Sequence, residues 1–297
     1  MTSPKGEDGI MKRQHRATAV AAVAAMLAMG AAQAEPAKDD ELTINGEETL
    51  ATQAPAPDHL QGALGDTVYS GWLFRDPDTR AMQKDDFDNP MFLFVDAGIE
   101  AWNTPDGTEG KSCADCHNAI EDSMKGLRAA LPKVTEKGEL WSLENFVNDC
   151  RTNRMGAEAW GWNSQEMKNM TTAIGLQSRG MPVAVAIDGE AAPFWEKGKE
   201  MYYTRYGQLE MSCANCHEDN FGNYIRSDHL SQGQINGFPL YRLKDQGAVS
   251  THQRFVGCMR DTRGVPFEAG SQEFRELELY VASRGLGMPV ETPAVRH

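Results

Sequence analysis

The sequence predicts a mainly α-helical fold of two tandem domains of the same build, and three observations carry that expectation. The pentapeptides "CADCH" (Cys113, Cys116, His117) and "CANCH" (Cys213, Cys216, His217) stand 100 residues apart. The residues before them repeat at the same interval: "DAGIEAWN" is answered by "EKGKEMYY", so that Gly98, Glu100 and Trp102 recur as Gly198, Glu200 and Tyr202. Beyond the motifs, "CRTNRMG" and "SRGMPV" are answered by "CMRDTRG" and "SRGLGMPV". This pairs Cys150 with Cys258, Ser164-Gln165-Glu166 with Ser271-Gln272-Glu273, and Met181-Pro182 with Met288-Pro289. Self-similarity at a fixed interval is the mark of an internal duplication.

Taken in order, residues 1–34 read as a signal peptide. Lys12, Arg13 and Arg16 precede an alanine-rich apolar run and a small-residue cleavage site ending at Ala34, with Met11 as the expected true start. No later stretch is long and apolar enough to span a bilayer, so a soluble periplasmic protein is expected. Four Lys/Arg and two Asp/Glu lie in residues 1–34, which takes the net charge from −14 to −16 on cleavage. Nucleic acid is thereby excluded as a partner, and an anionic substrate needs a local basic patch. Residues 35–65, acidic and carrying "QAPAPD", read as an extended leader. The first domain, 66–183, opens with a helix that has Asn89 as cap, Pro90 at its first position, and Phe92, Phe94, Val95, Ile99 and Trp102 at helical spacing. It closes with a helix over 164–179. Residues 184–190 read as a linker. The second domain, 191–297, opens near Pro193 with Trp195, Met201 and Tyr202 on its helix, and closes with a helix over 271–284.

CxxCH carries a specific chemistry. Two thioether bonds to haem vinyl groups require cysteines one helical turn apart, and the histidine that follows then faces the iron. Paired redox dithiols or half of a zinc site would leave the histidine after each second cysteine unexplained. Two covalent c-type haems are expected, held through Cys113, Cys116, Cys213 and Cys216, with His117 and His217 as axial ligands. A leading helix crossing a closing helix beside a haem is the plan of a small cytochrome c domain.

Cys150 and Cys258 remain. Each falls between its haem motif and its closing helix, where a cytochrome c iron takes its second axial ligand. Met155 is the rival at the first site, a Cys150–Cys258 disulfide is the bland alternative, and Met181 and Met288 read as packing residues. Thiolate ligation favours ferric iron and lowers the potential. Arg254, Arg260, Arg263 and Arg275 surround Cys258, where they can keep a thiolate ionised, hold an oxyanion, or pair with haem propionates. Arg151 and Arg154, beside Cys150, read as propionate partners.

The order of signal peptide, CxxCH, lone cysteine in "NDCRTNRM", second CxxCH and lone cysteine in "HQRFVGCMR" resembles the SoxA family, the dihaem subunits of the SoxAX cytochromes of bacterial sulfur oxidation. The resemblance implies an L-cysteine S-thiosulfotransferase that joins thiosulfate oxidatively to a cysteine of the carrier SoxYZ, with two electrons leaving through haem. It implies a monohaem SoxX partner subunit. A single haem cannot accept two electrons at once, so the first-domain haem, the partner haem or an external cytochrome c is expected as the further acceptor. It implies Cys150 as distal ligand of the first haem, Cys258 as both distal ligand and persulfide-bearing catalytic residue of the second, and Arg254 as the substrate-binding arginine. A thiosulfate dehydrogenase forming tetrathionate, a plain electron-transfer dihaem cytochrome and a dihaem peroxidase are the alternatives.

Overall fold

The computed structural model describes residues 1–2 and 40–297. The expected signal peptide, the Met11 start and the first residues of the leader lie outside the described residues. From residue 40 onward the chain belongs to one compact unit, Pro36–His297. No described helix is long and apolar enough to cross a membrane.

Six helices of about three turns frame the site: α1 (Phe92–Asn103), α2 (Leu143–Arg154), α3 (Gln165–Leu176), α4 (Ala192–Tyr203), α5 (Thr251–Asp261) and α6 (Gln272–Ser283). α1 packs across α3, and α4 across α6. The repeated glycines sit where these pairs cross. A Cβ on Gly98 would lie 2.3 Å from the carbonyl oxygen of Asn169, and one on Gly198 would lie 2.0 Å from that of Glu276. The side chains of Ser164 and Ser271 cap α3 and α6 by accepting from the N–H groups of Met167 and Phe274. α1 starts later than its sequence signal, because the Asn89 side chain is spent on a turn, accepting from the Met91 N–H at 3.0 Å.

Residues 40–65 are not an extended leader. Leu42–Ile44 pairs antiparallel with Glu48–Leu50, and Gln53–Pro55 with Thr67–Tyr69. Leu42, Ile44 and Leu50 are buried against Trp72, Leu73 and Phe74, while Leu60 and Leu64 pack with Val68 and Met288. Each such side chain, fully buried, contributes roughly 1.5–3 kcal/mol, which outweighs the acidity of the segment. Met288 is a packing residue, as expected.

Residues 184–190 are not a free linker either. Val183 and Val185 belong to one core that also holds Ala129, Leu140, Trp195 and Phe255. The Ala184 N–H donates to the Ala129 carbonyl at 2.8 Å. The C-terminal strand Ala294–Arg296 runs parallel to Leu240–Arg242 and returns to the helix Pro77–Gln83, where the Val295 N–H donates to Gln83 Oε1 at 3.1 Å.

Candidate functional site

Each CxxCH motif forms a single helical turn, Ala114–His117 and Cys213–His217. A reciprocal cap holds both. Ser112 Oγ accepts from the Asp115 N–H while Asp115 Oδ2 accepts from the Ser112 N–H, and Ser212 and Asn215 repeat the exchange. Sequence reasoning missed this device, although the serine before the first cysteine and the short polar residue between the cysteines signal it.

His217 is held in a fixed orientation. Its Nδ1 lies 2.8 Å from the Ser231 carbonyl oxygen, which fixes the proton there and leaves Nε2 as a lone-pair donor. Gly233 crosses the ring so closely that a Cβ would lie 2.8 Å from it. Burial pushes the imidazole down to about 4, which keeps it neutral and able to bind a metal. His117 lies beside Trp102, ring centroids 5.8 Å apart.

Cys150 and Cys258 ride on helices α2 and α5 rather than on loops, because Ser142 and Ser250 cap those segments early. All six cysteines are free, so the Cys150–Cys258 disulfide is not formed. The fold brings each lone cysteine to its own motif. Cys113 feels the charge of Cys150, and both Cys213 and Cys216 feel that of Cys258. Burial pushes the Cys150 thiol up, and Asp149 adds to this more than Arg154 offsets it. Met155 lines a cleft of about 400 Å³ together with Cys113, Arg151 and Trp160, so the first site keeps both candidate distal ligands near its motif.

The arginines divide sharply. Arg254 is one turn before Cys258 on the same face of α5. Cys258 is the largest influence on its guanidinium and raises its pKa. Among the described residues Arg254 has no ion pair, whereas Arg242 is paired with Asp245 at 3.2 Å and faces Asp228 at 3.9 Å. Arg260 and Arg263 are exposed, and Arg263 has left the helix in a left-handed conformation (φ 58°). Arg275 is half-buried, with its Nε lacking a hydrogen-bond partner among the described residues. Arg151 is already engaged: Nη2 donates to Asp106 at 2.8 Å, Nε to the Glu158 carbonyl at 3.0 Å, and the guanidinium lies 3.7 Å from the Trp160 ring centre. Arg154 is exposed.

Arg284 is a site residue that the sequence reading passed over. It is fully buried, lies 4.4 Å over the Tyr202 ring, pairs with Glu218 and donates to the Gln232 carbonyl at 3.2 Å. Its Nε and the Tyr202 hydroxyl are buried without partners among the described residues. Two thiols, a neutral imidazole, a facing thiol and orphaned donors are a donor set that fits a covalently bound, anion-bearing macrocycle. The repeated "SRG" was the available signal for Arg284.

Residues 97–183 match the family described as SoxA/TsdA, cytochrome c domain. The chain is 58% identical over 282 residues to the L-cysteine S-thiosulfotransferase subunit SoxA of Paracoccus pantotrophus, covering 94% of this chain and 97% of that one. The chain belongs to the SoxA family. The SoxA subunit of Rhodovulum sulfidophilum is 56% identical, with 87% of this chain and 90% of the relative covered, and that of Pseudaminobacter salicylatoxidans is 45% identical, with 96% and 99% covered. The crystal structure of SoxXA from P. pantotrophus superposes with a TM-score of 0.86 at 58% identity, covering 89% of this chain and all of the matched SoxXA chain. A cytochrome c domain of the SoxA type is thus the framework on which these side chains are placed.

Proposed function

We propose that this chain is the dihaem SoxA subunit of a periplasmic L-cysteine S-thiosulfotransferase, working with a SoxX-type monohaem subunit on a SoxYZ-type carrier. One observation carries the reading: the unpaired guanidinium of Arg254 stands one helical turn from Cys258, beside the second CxxCH turn. Cys113 and Cys116 would hold the first haem, with His117 and Cys150 offered to its iron, and Cys213 and Cys216 would hold the second, with His217 and Cys258 offered to its iron. The two halves are read as tandem cytochrome c-like domains that arose by duplication, supported by the matched glycine crossings and matched caps.

When bound, each haem supplies a one-electron acceptor. Arg254 binds the sulfonate end of thiosulfate through paired N–H donors and so draws a dianion against the field of an acidic protein. Cys258 faces the outer sulfur. The carrier cysteine gives its proton to solvent as an S–S bond forms between its sulfur and that outer sulfur, and two electrons leave in single steps to an external cytochrome c. In the first half, Phe146 takes the place that Arg254 has in the second, four residues before the cysteine, so only the second site recruits an anion.

The test uses the haem-loaded chain with partner subunit, carrier, thiosulfate and oxidised cytochrome c, read by the mass of the carrier. The carrier should gain a thiosulfonate group with the wild type and none with Cys258→Ala. Tetrathionate released without any carrier would replace this reading with a thiosulfate dehydrogenase.

A further inference from the structure

The arginine of the repeated Ser-Arg-Gly, Arg179 and then Arg284, has different partners in the two halves. Arg179 turns away from the first CxxCH turn: its Nε donates to Glu48 at 3.0 Å and its Nη1 to Asp86 at 2.8 Å. Arg284, fully buried at the end of α6, turns to the second CxxCH turn. Its Nη1 pairs with Glu218, the residue after His217, and its Nη2 donates at 3.2 Å to the carbonyl of Gln232, the residue after Ser231. Ser231 is the residue whose carbonyl takes the His217 Nδ1 proton at 2.8 Å, and Gly233 then crosses the imidazole ring. One guanidinium thus ties the chain neighbour of the imidazole to the strap that holds the ring.

The other contacts restrain the same parts. Glu218 Oε1 also accepts from the Tyr203 hydroxyl of α4 at 3.0 Å, and that hydroxyl accepts from the Tyr280 hydroxyl of α6 at 3.3 Å. The guanidinium lies 4.4 Å over the Tyr202 ring. Gln232 Oε1 accepts from the Tyr69 N–H at 2.8 Å, which joins the strap to the strand Thr67–Tyr69. The first half has no such arrangement among the described residues. Asn118 stands where Glu218 stands in the second half and is exposed, and the His117 ring meets Trp102 rather than a carbonyl. A buried ion pair adds little net stability over apolar side chains of the same size, because both ions lose their water. What a planar guanidinium adds is orientation, with two donors held at a fixed angle.

We propose that Arg284, together with Glu218, is a positioning residue for the second site: it locks the Ser231–Gly233 strap onto His217 and so fixes the plane of the imidazole and its Nδ1–H bond. The inference rests on the reading of His217 as an axial ligand of the second haem. A firm bond from Nδ1–H to a carbonyl makes Nε2 a stronger donor, which favours ferric iron. A slackened strap weakens that bond and raises the reduction potential of the second site. Loss of a buried positive charge acts the other way and lowers it. Arg284→Lys keeps the charge and loses the fork, so a raised potential in that variant reports position rather than charge.

The test is electron paramagnetic resonance and spectroelectrochemical titration of the haem-loaded full chain, as wild type, Arg284→Lys and Arg179→Lys, with a pyridine haemochrome count of haems per chain. The second-site signal is the one that Cys258→Met changes. Arg284→Lys should displace that signal and raise the potential of its site, with the first site as in the wild type. Arg179→Lys, which loses the same kind of fork to Glu48 and Asp86, should leave both sites unchanged. A wild-type signal and potential at the second site of Arg284→Lys overturn the proposal whatever the melting temperature, as does a lowered potential or an equal second-site shift in Arg179→Lys. If Arg284→Lys does not load haem, Glu218→Gln is read in its place, since it keeps the Oε1 acceptor and removes the charge that strengthens the bond to Arg284. A displaced second-site signal in that variant supports the proposal and an unchanged one overturns it. One haem per wild-type chain sinks the ligand reading and this inference with it, whereas two haems with unmoved signals sink the positioning role alone.

Discussion

Replacing Gly198 by alanine puts a number on the crossing of α4 and α6. The added Cβ would stand 2.0 Å from the carbonyl oxygen of Glu276 and 2.6 Å from its carbon. A carbon and a carbonyl oxygen rest at about 3.3 Å or more, so the helices must part by about 1.3 Å. The neighbour is backbone and cannot swing aside, so the cost belongs at the upper end of the roughly 1–3 kcal/mol seen for overpacking, less up to about 1 kcal/mol returned by alanine's helix propensity. A net loss of about 2 kcal/mol lowers the melting temperature by about 4–8 °C in a unit of this size. At Gly98 the corresponding contact is 2.3 Å and the loss should be smaller. Calorimetry of the haem-loaded variants measures this, with Gly62→Ala as control, since its Cβ would meet nothing within 4 Å. Because α4 also packs on the second CxxCH turn, Gly198→Ala should disturb that motif before the first one. An unchanged or raised melting temperature for Gly198→Ala refutes the close crossing and the reason offered for the repeated glycine.

Arg254→Ala should slow carrier conjugation about ten- to a hundredfold with an unchanged haem spectrum, the loss of a charged hydrogen bond, and Arg254→Lys should be impaired less. A wild-type rate for Arg254→Ala moves the anion site elsewhere. Cys150→Met and Cys258→Met should each change one thiolate signal in the electron paramagnetic resonance spectrum, and a methionine-type first site in the wild type would identify Met155 as the ligand. Arg151→Ala should cost about 1–3 kcal/mol by denaturant titration, since it unstacks from Trp160 and frees Asp106, yet leave conjugation intact. Glu144 keeps, up to about pH 8, a proton that the unfolded chain gives up near its ordinary 4.5, so its contribution to stability falls as pH rises through that window. Glu144→Gln should remove that part of the slope in unfolding free energy.

The elements that the sequence made plain were those whose signal is local. CxxCH, the caps Ser164 and Ser271, and Pro193 at the start of α4 all act within one turn of chain, and the structure follows them to within a few residues. What was illegible depended on partners far away. Three-residue strands such as Leu42–Ile44 have too little periodicity to announce themselves and are held by Trp72 to Phe74. Residues 184–190 looked like a linker because nothing local says that the Ala129 carbonyl takes the Ala184 N–H. Register at the helix ends was also hidden. The Met155 N–H reaches back five residues to Cys150, whereas the Thr262 N–H reaches back four to Cys258. Met155 therefore corresponds to Thr262, and Arg263 to Gly156, the two sharing a left-handed conformation (φ 58° and 62°). A one-residue difference in helix ending thus separates Met155 from Arg263, which a plain count from the lone cysteines would pair.

The two halves use one frame for different ends, and the divergence comes down to the residue one turn before each lone cysteine. Phe146 packs edge-on to Trp141 at 5.0 Å, with the Lys133 ammonium 5.2 Å over its ring. It thereby closes the face of α2 that in α5 is left to a guanidinium. Asp149 precedes Cys150 directly and Gly257 precedes Cys258, so the first thiol also meets a repelling carboxylate that the second lacks. An anion approaching the first site meets an apolar wall and a negative charge. At the second site, Arg242 pairs with Asp245 and faces Asp228; these two acids and Asp261 act on Arg254 from a distance, but none forms an ion pair with it among the described residues. A chain of net charge −14 can admit a dianion only where a positive charge is left uncompensated within a screening length of the surface. In the proposed function, the pairing of Arg242, as much as the presence of Arg254, is what leaves the second site open to an anion.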